Sequence, residues 1–538
     1  MTKKSFMRGA VILGVAGLII KVLGAFFRIP LANIIGSEGM GYYQTAYPVY
    51  VLFLTVSTAG IPTAIAKLVS EKTAEGDHAE AYRIFKLSFG LLLGIGVASA
   101  AILYFGADSI VGTITADQTG AVYAMKAIAP ALLFVPMMAS FRGYFQGRQD
   151  MSPTAASQVI EQTFRVICGL GLAVFLVSYG LPQAAAGASF GATAGSIGGL
   201  IGIMIIFLRR KKYINNDIAK SISSNRERAG AIIGKIVIIA IPITIGAAIM
   251  PIMNSIDLAI VMRRLQDTGY TYEEANSLYG QLTGLAAPLI NFPQVLTQSL
   301  AMSLVPAIAA ARRTGDVDFL RYNVQLGLRS AMIIGLPCAV GLMALSEPIM
   351  FLLYPLQKAS AIGAAPCLFI LAAGVVFLSS VQTLTGVLQG VGKQTIPVRN
   401  LFIGAIAKVI ITYTLTSIPS LNVKGAALGT VCAYLIASVL NLYAVQKYTG
   451  TVFDFKLILG KPLISAIGMG IVVQLVFRLL YSVLGNGLST IIAVTCGVFT
   501  YTVLMFLVKG ITSDEIKMMP MGAKIISRLN KITGGRIK

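Results

Sequence analysis

The sequence predicts an all-α integral membrane protein of about 14 transmembrane helices, built as two six-helix repeats followed by two C-terminal helices. Three observations predict it. Of 538 residues, 56% are hydrophobic and 12% charged, about half the roughly 25% charged share of a soluble domain. The apolar excess falls in blocks of about 20 residues, the length that crosses ~30 Å of hydrocarbon. Lys and Arg gather in alternate connections between those blocks, the pattern left when cytoplasmic loops hold the positive charge.

Taken in order, the first span covers 6–27. Lys3, Lys4 and Arg8 ahead of an apolar run imitate a secretory signal, but Lys21 interrupts the run and no small-residue cleavage site follows, so an uncleaved span is expected. The second and third spans (46–70 and 82–105) flank a polar stretch around His78. The fourth (121–141) is followed by the fifth (153–178), opened by Pro153, a residue suited to a helix start because its missing N–H is not needed there. The sixth (185–208) ends at Arg209-Arg210-Lys211-Lys212, which opens the longest basic connection. Beyond it lie the seventh (231–261), eighth (280–311), ninth (322–346), tenth (361–389), eleventh (397–418, opened by Pro397) and twelfth (423–446) spans. The thirteenth (459–483) and fourteenth (487–509) precede a basic tail.

An internal repeat supports this order. Gly143-Tyr144-Phe145-Gln146-Gly147 closes the fourth span and Gly386-Val387-Leu388-Gln389-Gly390 the tenth, 243 residues apart; Pro153 and Pro397 are 244 apart, as are Pro62 and Pro306. Six spans per repeat preserve orientation, so the two lobes relate by an axis along the membrane normal. The expected organisation is an N-lobe over 1–208, a basic cytoplasmic linker over 209–230, a C-lobe over 231–446, a terminal pair over 447–509 and a basic cytoplasmic tail over 510–538. Placing both termini in the cytoplasm leaves the outer loops only Arg28, Arg263, Arg264, Lys358 and Lys424. The net charge of +22 thus belongs to the membrane face, where it meets anionic headgroups, and nucleic acid is not needed to explain it.

Several chemistries drop out. The five cysteines lie singly in apolar segments and His78 is the one histidine, so neither a zinc site, a cofactor nor histidine-based catalysis is expected. Gly390-Val391-Gly392-Lys393-Gln394 lacks the spacing and the Ser/Thr of a phosphate loop. Gly187, Gly191 and Gly195 read as small-residue helix packing.

Charges inside spans are costly and call for a role. Gly14, Gly17, Lys21, Gly24 and Arg28 recur every three or four residues, one face of the first span. That face is either a cavity wall presenting positive charge to an anionic substrate, or a packing seam whose Lys21 and Arg28 snorkel. Glu161 and Arg165 stand four apart in the fifth span, as a structural salt bridge or a lining pair that opens to substrate. Lys408 lies at nearly the same depth of the eleventh span, and Arg329 about two turns into the ninth. Asp257 in the seventh admits three readings: cation ligand, counter-ion or interfacial residue. Pro48, Pro62, Pro293 and Pro306 concentrate in the second and eighth spans, as static bends or as hinges of movable walls.

With these residues in place, the chain resembles the lipid-linked oligosaccharide flippases of the multidrug/oligosaccharidyl-lipid/polysaccharide exporter superfamily. More narrowly it resembles the MurJ-type lipid II flippases, in the branch with the YtgP and stage V sporulation protein B proteins. The carriers are Lys21-Val22-Leu23-Gly24, Gly60-Ile61-Pro62, Gly143 to Gly147, Asn291-Phe292-Pro293 and Leu388-Gln389-Gly390. The resemblance implies a plasma-membrane transporter, not an enzyme, exporting undecaprenyl-diphosphate-linked peptidoglycan precursor by alternating access. It implies a cationic cavity lined by the first, second, seventh and eighth spans, a lipid-tail groove at the last two, and the cell-wall synthesis machinery as partner. Lys21 and Arg28 match the family's two basic positions in the first span, allowing one inserted residue. Where Gram-negative members carry arginine, the second span reads Leu54-Thr55. Where they carry an Asp-Arg pair, the eighth reads Ala287-Pro288. Arg142, Arg165, Arg329 and Lys408 are the candidates to compensate, with Glu161, Asp257 and Asn291 in support. The alternatives are a flippase for another polyprenyl-diphosphate glycan (capsule or spore wall), a cation-coupled drug exporter, and a membrane scaffold.

Overall fold

The structure is a computed structural model that describes residues 3–115, 120–221, 227–508 and 510, without the side chains of 3–11, 13, 15, 18 and 115. Part of the basic linker and all but Gly510 of the expected tail therefore lie outside the described residues.

Every regular element among the described residues is helical. Twelve stretches of the described residues are long and apolar enough to cross a membrane, and two of them contain a pair of spans. Lys3–Thr58 is one run broken at Gly36 (φ 65°, ψ −171°), which divides the first span from the second. Lys461–Leu507 is broken in the same way at Gly485 (φ 68°, ψ −179°), dividing the thirteenth from the fourteenth. A side chain at either position would clash in that backbone region, which glycine enters at little cost. With these two breaks, each expected span has a helix. Most run past the apolar block that announced them, as in Leu181–Ala219 for the sixth and Ala229–Asp267 for the seventh. Hydropathy marks where hydrocarbon ends, whereas helical hydrogen bonding continues until a cap stops it. Asp77, accepting from the Glu80 N–H at 2.9 Å, starts the third span. Asp316 does the same for the ninth through Phe319 N–H, and a Thr271–Glu274 capping box starts the eighth. Such caps contribute about 1 kcal/mol each.

The chain forms two compact units. The first comprises Met1–Pro288, Tyr354–Gly363 and Ile411–Ala426; the second comprises Leu289–Leu353, Ala364–Ile410 and Ala427–Lys538.

In the first unit, an aromatic core joins the third, fourth and sixth spans, with Phe85 5.0 Å from both Phe141 and Tyr144 and 5.4 Å from Phe207. Gly143 and Gly147 let the fourth span touch the second: a Cβ on Gly143 would lie 2.9 Å from the Pro62 carbonyl oxygen, and one on Gly147 2.7 Å from Val69 Cβ. A polar seam fixes the corner at Gly36. There Ser37 Oγ meets Ser277 Oγ at 2.7 Å, Asn276 Nδ2 donates to the Glu38 carbonyl at 2.8 Å, and Gln357 Nε2 donates to the Asn33 carbonyl at 3.2 Å. Two turns on, Gln44 Nε2 donates to the Thr283 carbonyl at 2.9 Å. This seam sets the rotation of the second span, and with it the direction of the tyrosines described below.

The second unit has its own apolar core, including Leu304, Ile308, Leu328, Met332, Leu384 and Leu388. Its glycines repeat the contact of the first: a Cβ on Gly386 would lie 2.6 Å from the Ala301 carbonyl oxygen, and one on Gly390 2.7 Å from Ile308 Cβ. Each glycine contact thus pairs the second and eighth spans at an offset of 239, as in Pro62 with Ala301 and Val69 with Ile308. In this packing Pro62 corresponds to Ala301 rather than to Pro306, because the segment from the second span to its glycine partner is shorter (Pro62 to Gly143) than that from the eighth (Ala301 to Gly386).

Candidate functional site: a cation and tyrosine cluster in the first unit

Tyr43, Tyr47 and Tyr50 are spaced four and three apart, so they share one face of the second span. Tyr43 and Tyr47 stack with centroids 5.7 Å apart, Tyr50 follows at 6.0 Å from Tyr47, and Phe27 of the first span tilts onto Tyr43 at 6.1 Å. Arg165 of the fifth span enters this face. Its Nη2 donates to the Tyr43 hydroxyl at 3.2 Å and its guanidinium lies 5.2 Å from the Tyr47 ring centre. A desolvated cation over an aromatic face gains roughly 2 kcal/mol.

The sixth span presses the fifth into place. A Cβ on Gly191 would lie 2.7 Å from the Arg165 carbonyl oxygen, one on Gly195 2.6 Å from that of Glu161, and one on Gly187 2.9 Å from the Leu172 carbonyl carbon. This is the small-residue seam the spacing announced. The Cβ atoms of both residues border this seam, with Arg165 Cβ 3.0 Å from an added Cβ on Gly195 and Glu161 Cβ 3.0 Å from one on Gly199.

Glu161 does not pair with Arg165. Arg142, on the fourth span, places Nη2 2.8 Å from Glu161 Oε2 and donates from Nε to Ser157 Oγ at 2.9 Å. The carboxylate is therefore shared across spans rather than along one, and Arg165 is held by phenol oxygens and ring faces. Arg142 is the more enclosed partner, its side chain 14% exposed against 27% for Glu161.

Arg28 is half-buried, and its charge acts on the hydroxyls of Tyr47 and Tyr354. Lys21, two turns earlier, is exposed. A Cβ on Gly14 or Gly17 would meet nothing within 4 Å, and one on Gly24 only Gln162 Nε2 at 3.8 Å. The glycine face of the first span is thus open at Gly14 and Gly17 and looks onto the fifth span at Gly24. Asp257 of the seventh span acts on the Tyr279 hydroxyl in the same unit. Pro48 lies inside a helix, whereas Pro62 starts one. The second span breaks at Ala59 and Gly60, where the Ala240 carbonyl oxygen would lie 2.2 Å from an added Cβ and Thr244 Oγ1 accepts the Gly60 N–H at 3.2 Å.

The remaining sequence candidates belong to the second unit. Arg329 is 6% exposed and donates from Nη2 to the Gly510 carbonyl at 2.7 Å, anchoring the chain after the fourteenth span. Lys408 is half-buried, Asn291 exposed, Pro293 buried and Pro306 exposed. Among the described residues no group of His, Cys, Asp and Glu is placed to hold a metal.

The first unit therefore holds Arg28, brings Glu161 to Arg142, and packs on Arg165 the tyrosines that sequence reasoning passed over. The four-three spacing of the tyrosines was the signal available. Three guanidiniums with one carboxylate suit an anionic, oxygen-rich ligand, since arginine bonds phosphate oxygens in bidentate fashion.

Fold and spans define a multi-pass helical membrane protein, and the relatives described next make its class a plasma-membrane transporter, not an enzyme. A family model described as "Polysaccharide biosynthesis protein" matches residues 6–312, and a second, MatE, matches 281–414. The first covers more than half of the chain, which belongs to the polysaccharide biosynthesis protein family. The chain is 27% identical over 533 residues to stage V sporulation protein B of Bacillus subtilis, covering 98% of this chain and 100% of that one. It is likewise 27% identical over 487 residues to the lipid II flippase MurJ of the same organism, covering 87% and 88%. A solved structure of lipid II flippase MurJ in an inward closed conformation superposes with a TM-score of 0.70 at 17% identity, covering 92% of this chain and 98% of that one. That likeness is one of fold, and it agrees with the resemblance carried by the sequence motifs.

Proposed function

We propose that this protein is a flippase that carries lipid II, the undecaprenyl-diphosphate-linked peptidoglycan precursor, from the inner to the outer leaflet by alternating access. One observation carries the reading: half-buried Arg142 and Arg165 flank a single carboxylate, Glu161, in the first unit, to which half-buried Arg28 also belongs. The net charge of that group suits a diphosphate and opposes a cationic drug. Lys21 and Arg28, on the first span, receive the diphosphate first, and Arg142 and Arg165 deepen the site in the same unit; in the second unit Arg329 and Lys408 act on the substrate separately. Asp257 and Asn291 support them, and Pro48, Pro62, Pro293 and Pro306 act as hinges. Both termini face the cytoplasm, residues 1–208 and 231–446 form the lobes, and 447–509 holds the lipid tail.

The match along the whole of a sporulation protein favours a second reading, in which the cargo is a spore-wall glycan on the same diphosphate carrier. Depleting the protein and identifying the lipid-linked precursor that accumulates in the inner leaflet tests both. Lipid II is expected. Accumulation of a different glycan carrier supports the second reading, and no accumulation of any polyprenyl diphosphate refutes both.

A further inference from the structure

The proposal that follows rests on the flippase reading and concerns how its site lets go of what it binds. Arg142 is the most enclosed cation of the cluster for which an ion pair is seen, and it has two anchors: Glu161 at 2.8 Å and Ser157 at 2.9 Å. Glu161 is more exposed than the arginine it holds, so a ligand reaching Arg142 meets the carboxylate before the guanidinium. Ser157 approaches only Nε, and Glu161 is bonded to Nη2, a position that an incoming phosphate oxygen would take. Arg165 lies four residues along the same helix from Glu161 and is retained by Tyr43 and Tyr47, not by a carboxylate. Any negative charge entering the cluster therefore competes with one group.

We propose that Glu161 is an exchangeable counter-ion: it occupies Arg142 in the empty protein, gives way to a phosphate oxygen of the ligand on loading, and returns to expel that oxygen on release. Glu161 is thus a specificity-determining residue that limits affinity so that the ligand can leave. No covalent bond changes. Carboxylate and phosphate exchange places on one guanidinium, and the helix seam of Gly191 and Gly195 keeps Glu161 within reach throughout.

The test uses the full chain in nanodiscs of zwitterionic lipid with geranylgeranyl diphosphate as probe, alongside reconstituted flipping of lipid II. Glu161→Gln keeps shape and removes charge. It is expected to bind the probe at least tenfold more tightly and to lower KM and kcat together, because release becomes slow. Glu161→Asp, which shortens the clasp but keeps its charge, should show a smaller rise in affinity and remains readable if the Gln variant does not fold. Adding Arg142→Gln to Glu161→Gln should cancel the gain. A general structural defect would lower kcat without lowering KM. If the wild type binds the diphosphate and neither Glu161 variant binds it more tightly, the counter-ion role is wrong while the flippase reading stands. If the wild type neither binds the diphosphate nor flips lipid II, the flippase reading itself falls, and the counter-ion role with it.

Discussion

The turn between the fourth and fifth spans and the turn between the tenth and eleventh are built on the same scaffold and filled differently. In the first unit Gly143 and Gly147 admit the second span; in the second unit Gly386 and Gly390 admit the eighth, with the same backbone and Cβ contacts. The residue before the first glycine is Arg142 in one and Thr385 in the other. At the offset set by Pro153 and Pro397, Glu161 corresponds to Ala405 and Arg165 to Val409, with Lys408 beside it. The first unit closes an ion pair at this place. Nearby, the second unit uses neutral polar contacts: Thr297 Oγ1 donates to Gln382 Oε1 at 2.5 Å, and Asn400 Nδ2 to Asn441 Oδ1 at 2.9 Å. Glycine contacts fix how close two helices come, because any Cβ there would overlap backbone or a neighbouring Cβ. They leave the next residue along free to vary. A repeated scaffold can therefore hold a charged site in one copy and a neutral one in the other.

The largest expected effect tests whether transport depends on the charged copy. Replacing both Lys21 and Arg28 with alanine should abolish flipping in vesicles while the protein still reaches the membrane at normal abundance. Full flipping by the double variant would remove the first span from the binding site.

Next in size is the pair Arg142→Leu and Thr385→Ala. The first strands Glu161 without its partner, and should cost stability toward the lower end of the about 3–5 kcal/mol typical of broken buried pairs, because Glu161 is partly exposed. The second should cost under about 1 kcal/mol. Thermal unfolding in detergent separates them, and equal losses would show that the ion pair is not what distinguishes the two turns.

The shared scaffold predicts a match instead of a difference. Gly147→Val and Gly390→Val both drive a side chain into a Cβ and a carbonyl of the facing span. Each should destabilise by about 1–3 kcal/mol, the range for overpacking. If one is tolerated and the other is not, the two contacts are not equivalent.

The smallest effect lies at the margin of the first unit. Glu227 accepts from Lys235 at 2.6 Å, with Lys72 at 3.9 Å and Arg83 donating to its backbone carbonyl at 2.6 Å. The Lys235 hydrogen bond, reinforced by the charges of Lys235, Lys72 and Arg83, holds its carboxyl below the usual carboxylate range. A lowered folded value means that the clasp stabilises the protein above the ordinary carboxylate pKa of ~4.3 and is lost as pH falls through the lowered value. At an exposed pair the amount is ~0.5 kcal/mol. Lys235→Ala should flatten that part of the acid unfolding profile, and an unchanged profile would assign the acid sensitivity elsewhere.

Much of this architecture was legible in the residues. Fourteen apolar blocks, the small-residue series Gly187, Gly191, Gly195 and the paired glycines of the two repeats each state a local rule, and the structure follows them. The breaks at Gly36 and Gly485 were less legible, since a positive φ depends on what the flanking helices pack against, and many glycines in this chain stay helical. The partner of Glu161 was not legible at all. Sequence spacing offered Arg165 four residues away, and the true partner, Arg142, comes from another helix.

The sequence by itself determined class, span number and the doubled scaffold, because hydrocarbon thickness, helical period and glycine size act on residues close together in the chain. Only the tertiary structure decided which charges meet. An ion pair forms between whichever side chains packing brings within about 4 Å, and in the first unit packing gives Glu161 to Arg142 and leaves Arg165 to Tyr43 and Tyr47.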